Sequence, residues 1–416
     1  MANSLNLTKL NFPFSKELTT LFKILNHNSN LRIVGGAVRD FILKNPTKDI
    51  DLACSYTPEK TIDILNSYNI KTLKTGIKYG TITAIVNDKL FEITTLRSDI
   101  NSQGRKSDVK FIDDFLSDAK RRDFTINAMS INEDGELFDY FGGFNDANNG
   151  IIRFIGNPEQ RIKEDYLRIL RFFRFSCYYS KNFHLDSLSA AIKLKSNIQK
   201  LSADRIRGEL LNIINCHNNK RLIKVLELMN SNQILAEILL FNKINLKFLE
   251  NFFVFSNISG EMGNIILKFA ILTYSSSSFI YEIAKKLNFS NKNIKYLNLI
   301  IKLSKSINVN MSKNNIIELI FDYDKNLLID ALILNITTRD ISNYSDIALK
   351  YLDIKDFVIN FKSPKFIVDG NDLLQNHINP KDISKTLKIL RKIWIDSDFS
   401  LKKSEILKKI HQKSFS

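Results

Sequence analysis

IVGGAVRDFILKNPTKDIDLAC, residues 33–54, packs two adjacent glycines, an Arg-Asp pair and two aspartates one residue apart into one short span. The run LRIV reads as a strand ended by Gly35-Gly36, and AVRDFILK reads as a helix-like segment after it. Glycines at such a junction leave backbone N–H groups unobstructed, so a phosphate could be received at the helix N-terminus. If DIDLA is a strand, its side chains alternate: Asp49 and Asp51 share one face while Ile50 and Leu52 enter the core. Two carboxylates that close repel unless a cation sits between them, and hard oxygen ligands with an open coordination shell suit Mg2+ held partly by a substrate phosphate. Alone, Gly-Gly is a plain turn and D-x-D a solvated edge; together they point to metal-dependent nucleotidyl transfer.

Outward from this stretch, glycine usage splits the chain. Ten of the fourteen glycines precede residue 157, among short period-2 or apolar runs: LRIV, DIDLA, GTITAIV, FEITTL, and TINAMSI with ELFDYF around Asn132–Gly135, which reads as a hairpin. After residue 157 only four glycines remain, and apolar positions recur at three and four, as in YLRILRFFRF and RLIKVLELM. The fold class is α+β: an N-terminal α/β head with a small mixed sheet, then an all-α remainder. SSSS at 275–278 reads as a loop, and no fixed-period repeat is present.

Composition narrows the function classes. With 416 residues, 44% hydrophobic and 25% charged, the chain reads as an ordinary globular protein of several packed units. Its apolar runs fall short of the ~20 residues of a membrane span, and MANSLNLTKLNF lacks a signal peptide's layout, so a cytoplasmic location is expected. Cys54, Cys177 and Cys216 stand too far apart for a zinc motif and read as small buried thiols, and the five scattered histidines form no metal-binding spacing. Charge is unevenly spread. Residues 1–150 hold 19 Lys+Arg and 19 Asp+Glu, leaving 41 against 25 for 151–416, so the net +16 lies wholly in the helical part. Such a surplus attracts polyanions, although a Lys-, Asn- and Ile-rich codon bias would also produce it.

The ordered set GGAVRD, DID, EITTLR, RRDFTINAM, FGG, GNPEQRIKEDYLRILRFFRF and LSADRIRGELL, dense from about residue 31 to 212, resembles the class II tRNA nucleotidyltransferases, the CCA-adding enzymes, and their relatives the bacterial poly(A) polymerases. PKFIVDGNDLL with KIWIDSDF resembles the family's C-terminal end. The resemblance implies that Asp49 and Asp51 bind two magnesium ions, and that Gly35, Gly36 and Arg39 of GGAVRD contact nucleotide. Glu92 in FEITTL is expected first as a surface glutamate, with a third-carboxylate role as the alternative. RRDFTINAM is the family's ribose-binding segment, here Arg121, Arg122, Asp123 and Asn127; the alternative is a structural Arg-Asp pair at a helix start. On one helix, Glu164, Asp165 and Arg168 of EDYLR would fall at i, i+1 and i+4, with Arg171 and Arg174 continuing the row. A carboxylate accepts from an exocyclic amine and a guanidinium donates to a ring nitrogen or carbonyl, the pattern shared by C and A, so CTP and ATP could be selected without a template. A surface ion pair would look the same.

RSDINSQGRKSDVKF, residues 97–111, resembles the flexible loop of complete CCA-adding enzymes. The chain departs from the family pattern at KTGIKYGT, with Tyr79 where His is common, and at NPKDISKTL in place of a Gly-Pro-rich segment. The implied organisation is a head at 1–157, a base-reading neck at 158–222, a helical body at 223–350 and a tRNA-binding tail at 351–416. The implied function is CCA addition to tRNA; the alternatives are a bacterial poly(A) polymerase and a non-catalytic RNA-binding relative.

Overall fold

The computed structural model describes residues 8–412 apart from 28, 48, 104–105, 240–243, 275–276 and 342. The chain forms two compact units, Met1–Asn242 and Lys243–Ser416.

In the first unit the strands are β1 (Thr8–Lys9), β2 (Leu31–Val34), β3 (Asp51–Cys54), β4 (Lys71–Gly76), β5 (Thr81–Val86), β6 (Lys89–Thr95), β7 (Arg97–Gln103), β8 (Lys106–Phe111), β9 (Ser130–Ile131) and β10 (Glu136–Phe138). Eight make one sheet in the order β1-β10-β9-β2-β3-β6-β5-β4, and β7 and β8 pair separately. Every residue of β2 is buried, and the strand pairs antiparallel with β3 on one side and β9 on the other. β3 instead runs parallel to β6, which sets Asp51 level with Glu92. The expected hairpin is present as β9 and β10, but Thr125–Asn127 ahead of it is a 3-10 turn rather than strand. Gly135 at its tip has φ +78°, and a Cβ there would lie 2.2 Å from the Leu10 carbonyl oxygen.

Helices of the head are α1 (Lys16–Leu25), α2 (Gly36–Ile42), α3 (Pro58–Ser67), α4 (Phe115–Arg121) and α5 (Gly143–Asn149). Their starts follow local chemistry: Ser15, Thr57 and Asp114 accept first-turn N–H bonds, and Pro58 occupies the first turn of α3. After them come α6 (Pro158–Glu164), α7 (Leu167–Tyr179), α8 (Leu185–Lys193), α9 (Ala203–Ile214), α10 (Asn219–Ser231) and α11 (Ile234–Leu239). A cluster of aromatic rings ties α7 to the head: Phe124 lies 4.7 Å from Phe154 and 5.3 Å, edge-on, from Phe175, and Phe154 stacks on Phe172 at 6.0 Å. All three cysteines are buried, as expected, and the Cys216 thiol donates to the Cys177 carbonyl at 3.1 Å.

Among the described residues of the second unit every regular element is a helix, from Leu246–Ser259 to Lys403–Gln412. Helix Lys325–Thr337 is its most enclosed element, and a smaller core forms around Val368, Leu373, Leu390, Trp394, Ile406 and Ile410. The SSSS run lies partly outside the described residues, and its remainder opens helix Ser277–Lys286 instead of a loop. The expected boundaries after residues 222 and 350 each fall inside a helix, Asn219–Ser231 and Tyr344–Asn360. No described helix is long and apolar enough to cross a membrane.

Candidate active site

A cleft of about 680 Å³ opens in the first unit, lined by Gly35, Gly36, Arg39, Asp51, Glu92, Thr94, Arg97, Arg121, Arg122, Asp123, Asn127, Asp165, Arg168, Arg171, Phe175 and Arg205 among others. It brings residues from six of the motif stretches to one place. Glu164 and Arg174 do not line it, and Asp49 lines a neighbouring depression that shares Asp51 and Glu92 with the cleft.

The carboxylate end is built by strand register. Asp51 opens β3 and Asp49 precedes the strand, so DIDLA is strand only from Asp51 on, yet the two aspartates line one depression. The second carboxylate on the sheet is Glu92, set beside Asp51 by the parallel pairing; it is exposed, as a surface glutamate would be, and it also lines the cleft. Asp51 remains open to solvent, yet the cleft walls and then the charges of Glu92 and Asp49 raise its pKa, with Arg122 working against them. Among the described residues, no three His, Cys, Asp or Glu side chains form a ready-made ligand set. An ion here would draw two carboxylates from the protein and the rest of its shell from other oxygen ligands and water.

Gly35 stands at the start of α2 with φ +70° and brings no side chain to its first-turn N–H groups. A Cβ at Gly35 would come 3.0 Å from Arg122 Nη1, so the guanidinium occupies the space that glycine leaves. Arg39 does not project freely. It is buried, grips Asp40 through Nε and Nη2 at 3.0 and 2.9 Å, donates to Asn127 Oδ1 at 2.7 Å and lies 4.3 Å from the Tyr179 ring centre.

Arg121 and Arg122 both bond Asp118, whose carboxyl burial would raise but the two guanidiniums hold below its usual value. Asp123 is likewise buried. It accepts from Arg171 at 2.6 Å, from Asn127 Nδ2 at 3.2 Å and from the Phe124 N–H at 2.9 Å. Burial pushes its pKa up, but Arg171 and these donors reverse the direction.

EDYLR does not lie on one helix. Asp165 takes an extended conformation, φ −154°, ψ 108°, ending α6, and its carboxylate accepts the Leu167 N–H at 3.1 Å to start α7. Nor does Asp165 pair with Arg168: it binds Arg205 at 2.7 Å, while Arg168 binds Glu164 at 2.7 Å. Asp165 and Arg168 both still line the cleft. Arg174 turns to Glu209 at 2.9 Å, which removes it from the expected row. Sequence reasoning missed Arg205, Thr94 and Phe175 as cleft residues; Arg205 sits inside the quoted motif LSADRIRGELL, which was the available signal.

The stretch 97–111 forms the strands β7 and β8, with residues 104–105 outside the described residues. Arg97 is anchored at its base by a bond to the Tyr79 carbonyl.

Residues 31–153 match the family model described as the Poly A polymerase head domain. The chain is 43% identical over 206 residues to the human mitochondrial CCA tRNA nucleotidyltransferase 1, a match covering 48% of this chain and 46% of that protein, so it spans about half the length of that relative. It is 31% identical to the CCA-adding enzyme of Staphylococcus epidermidis over 95% of this chain and 96% of that one. In fold it is similar to the Bacillus stearothermophilus CCA-adding enzyme solved in complex with CTP, with TM-score 0.76, 21% identity and coverage of 96% and 98% of the two chains. With a near full-length relative above 30% identity and a cleft assembled from the same ordered motifs, the chain belongs to the CCA-adding enzyme family.

Proposed function

We propose that this protein adds C, C and A in turn to the 3′ end of tRNA, taking CTP and ATP as substrates, releasing pyrophosphate and using no nucleic-acid template. The observation that carries the reading is one cleft whose lining holds both the Asp51–Glu92 carboxylate pair and Asp123, Asp165, Arg168, Arg171 and Arg205. Asp49 and Asp51, with Glu92 beside them, would supply the two carboxylates for Mg2+, which when bound would lower the pKa of the tRNA 3′-hydroxyl and neutralise the departing pyrophosphate.

The protein's own part is positioning and charge neutralisation. Gly35 and Gly36 let the triphosphate approach the backbone, with Arg122 alongside. Asp123 and Asn127 receive the ribose, and a site built on hydroxyl contacts discriminates against deoxynucleotides. Asp165 accepts from the exocyclic amine of C or A and Arg168 donates to the ring; each Asp165 oxygen already takes one protein bond and keeps a lone pair for the base. Within the same proposal, residues 1–157 are the catalytic head, 158–222 the neck, and the body and tail hold tRNA, the cytoplasm being the place of action.

The test is a sequencing-gel assay with Mg2+, a tRNA transcript lacking its 3′ end, and CTP, ATP or both. Addition that stops at CCA is expected. An open-ended ladder with ATP alone would make the protein a poly(A) polymerase, and tRNA binding without product would make it a silent relative.

A further inference from the structure

Arg161 lies outside the cleft and carries none of the roles above, yet it touches both halves of the nucleotide-reading machinery. From α6 its Nη2 donates to the main-chain carbonyls of Arg121 and Arg122, the two residues just before Asp123. Its Nη1 binds the Glu164 carboxylate, and that same carboxylate oxygen takes Arg168 Nη1 at 2.7 Å. Arg168 closes the ring by donating to the Arg161 carbonyl at 2.9 Å and to the Arg121 carbonyl at 3.3 Å. The sugar-reading segment and the base-reading segment, some 40 residues apart in sequence, touch directly through Arg168 on the Arg121 carbonyl and Arg171 on Asp123, and the Arg161 guanidinium, whose side chain is only 12% exposed, bonds both segments at once.

Resting on the proposed activity, we infer that Arg161 is a positioning residue that fixes the sugar-reading Asp123 against the base-reading Asp165 and Arg168, so that base and ribose are selected together. A planar fork satisfies two carbonyls and a carboxylate at once; an ammonium on a flexible stem cannot span them. A small misplacement between two reading elements costs selectivity even where every contacting side chain remains.

The experiment compares the full-length wild type with Arg161→Met and Arg161→Lys. It measures kcat and KM for CTP, ATP, UTP and 2′-deoxy-ATP on truncated tRNA, with melting temperature alongside. Arg161→Met is expected to lose discrimination against UTP and against the deoxynucleotide together, each by on the order of tenfold to hundredfold, and Arg161→Lys is expected to recover part of both. Equal loss for all nucleotides with unchanged ratios, tracking a fall in melting temperature, would reduce Arg161 to a fold-holding role and overturn the inference. Loss of one discrimination with the other intact would overturn it too. If Arg161→Met does not fold, Arg161→Lys is judged by the same ratios. A wild type that transfers nothing refutes the activity itself, whereas a wild type that builds CCA beside variants of unchanged selectivity refutes only this inference.

Discussion

At Asp51 the fold holds a carboxylate where its surroundings oppose the charge. Because the folded-state pKa lies above that of the unfolded chain, the folded protein binds the proton more readily, and stability falls as pH rises through the window between the two values. Asp51→Asn is therefore expected to melt higher than wild type at pH 7 in chelator, to converge with it in acid below the ordinary aspartate range, and to lose at least about 10²-fold in transfer. Wild-type turnover in the variant would remove Asp51 from the site. Asp123 has the opposite sign. Its depressed pKa means that it stabilises the fold above the ordinary carboxylate pKa, and that this contribution is lost as pH falls through the folded value. Arg171→Met strands this buried carboxylate, so urea unfolding near neutral pH should show a loss of about 3–5 kcal/mol that shrinks in acid. A loss independent of pH would mean that packing, not charge, is what Arg171 supplies.

Among the elements, the break between α6 and α7 has the most to say about selectivity. Asp165 is at once the residue that starts α7, the partner of Arg205 and a wall of the cleft. Asp165→Asn retains an oxygen for the Leu167 N–H but gains an amide that donates, suited to the carbonyls of U and G. Its stability should change by no more than about 1 kcal/mol while UTP begins to compete, whereas Asp165→Ala should also lose about 0.5–1.5 kcal/mol with its bond to the Leu167 N–H. Competition assays beside thermal melts separate the two. The same break marks the edge of what sequence reading could see. Strands such as β2, β5 and β6 announce themselves by their apolar pattern, and α7 by its three-and-four spacing. EDYLR carries helical residue types throughout, so only the tertiary bond from Arg205, 40 positions away, and the local cap reveal that the helix stops at Asp165. Glu92 was undecidable for a similar reason: its place beside Asp51 depends on parallel pairing of β3 with β6, which no local pattern encodes. Asp49, by contrast, was assigned to a strand that begins two residues later.

For the molecule as a whole, charge outranks any single contact. Of the net +16, residues 243–416 carry 26 Lys+Arg against 17 Asp+Glu, and 151–242 carry 15 against 8. Each phosphate neutralised adds about −0.7 to −0.9 to the slope of log affinity against log salt. Binding of truncated tRNA should therefore weaken by at least about 10²-fold between roughly 50 and 200 mM salt, while KM for CTP moves far less. Equal affinity at both salts would detach the basic surplus from RNA. The three buried thiols add a use of their own. Cys54 lies at the end of the strand that Asp51 begins, Cys177 lies on α7, and Cys216 follows α9. Burial pushes the Cys54 thiol toward its unreactive protonated form, and burial together with the Cys216 contact does the same for Cys177. An alkylating reagent can then modify them only when the surrounding structure opens, so the protein carries its own three clocks for local breathing, one in the sheet, one on α7 and one just past the end of α9.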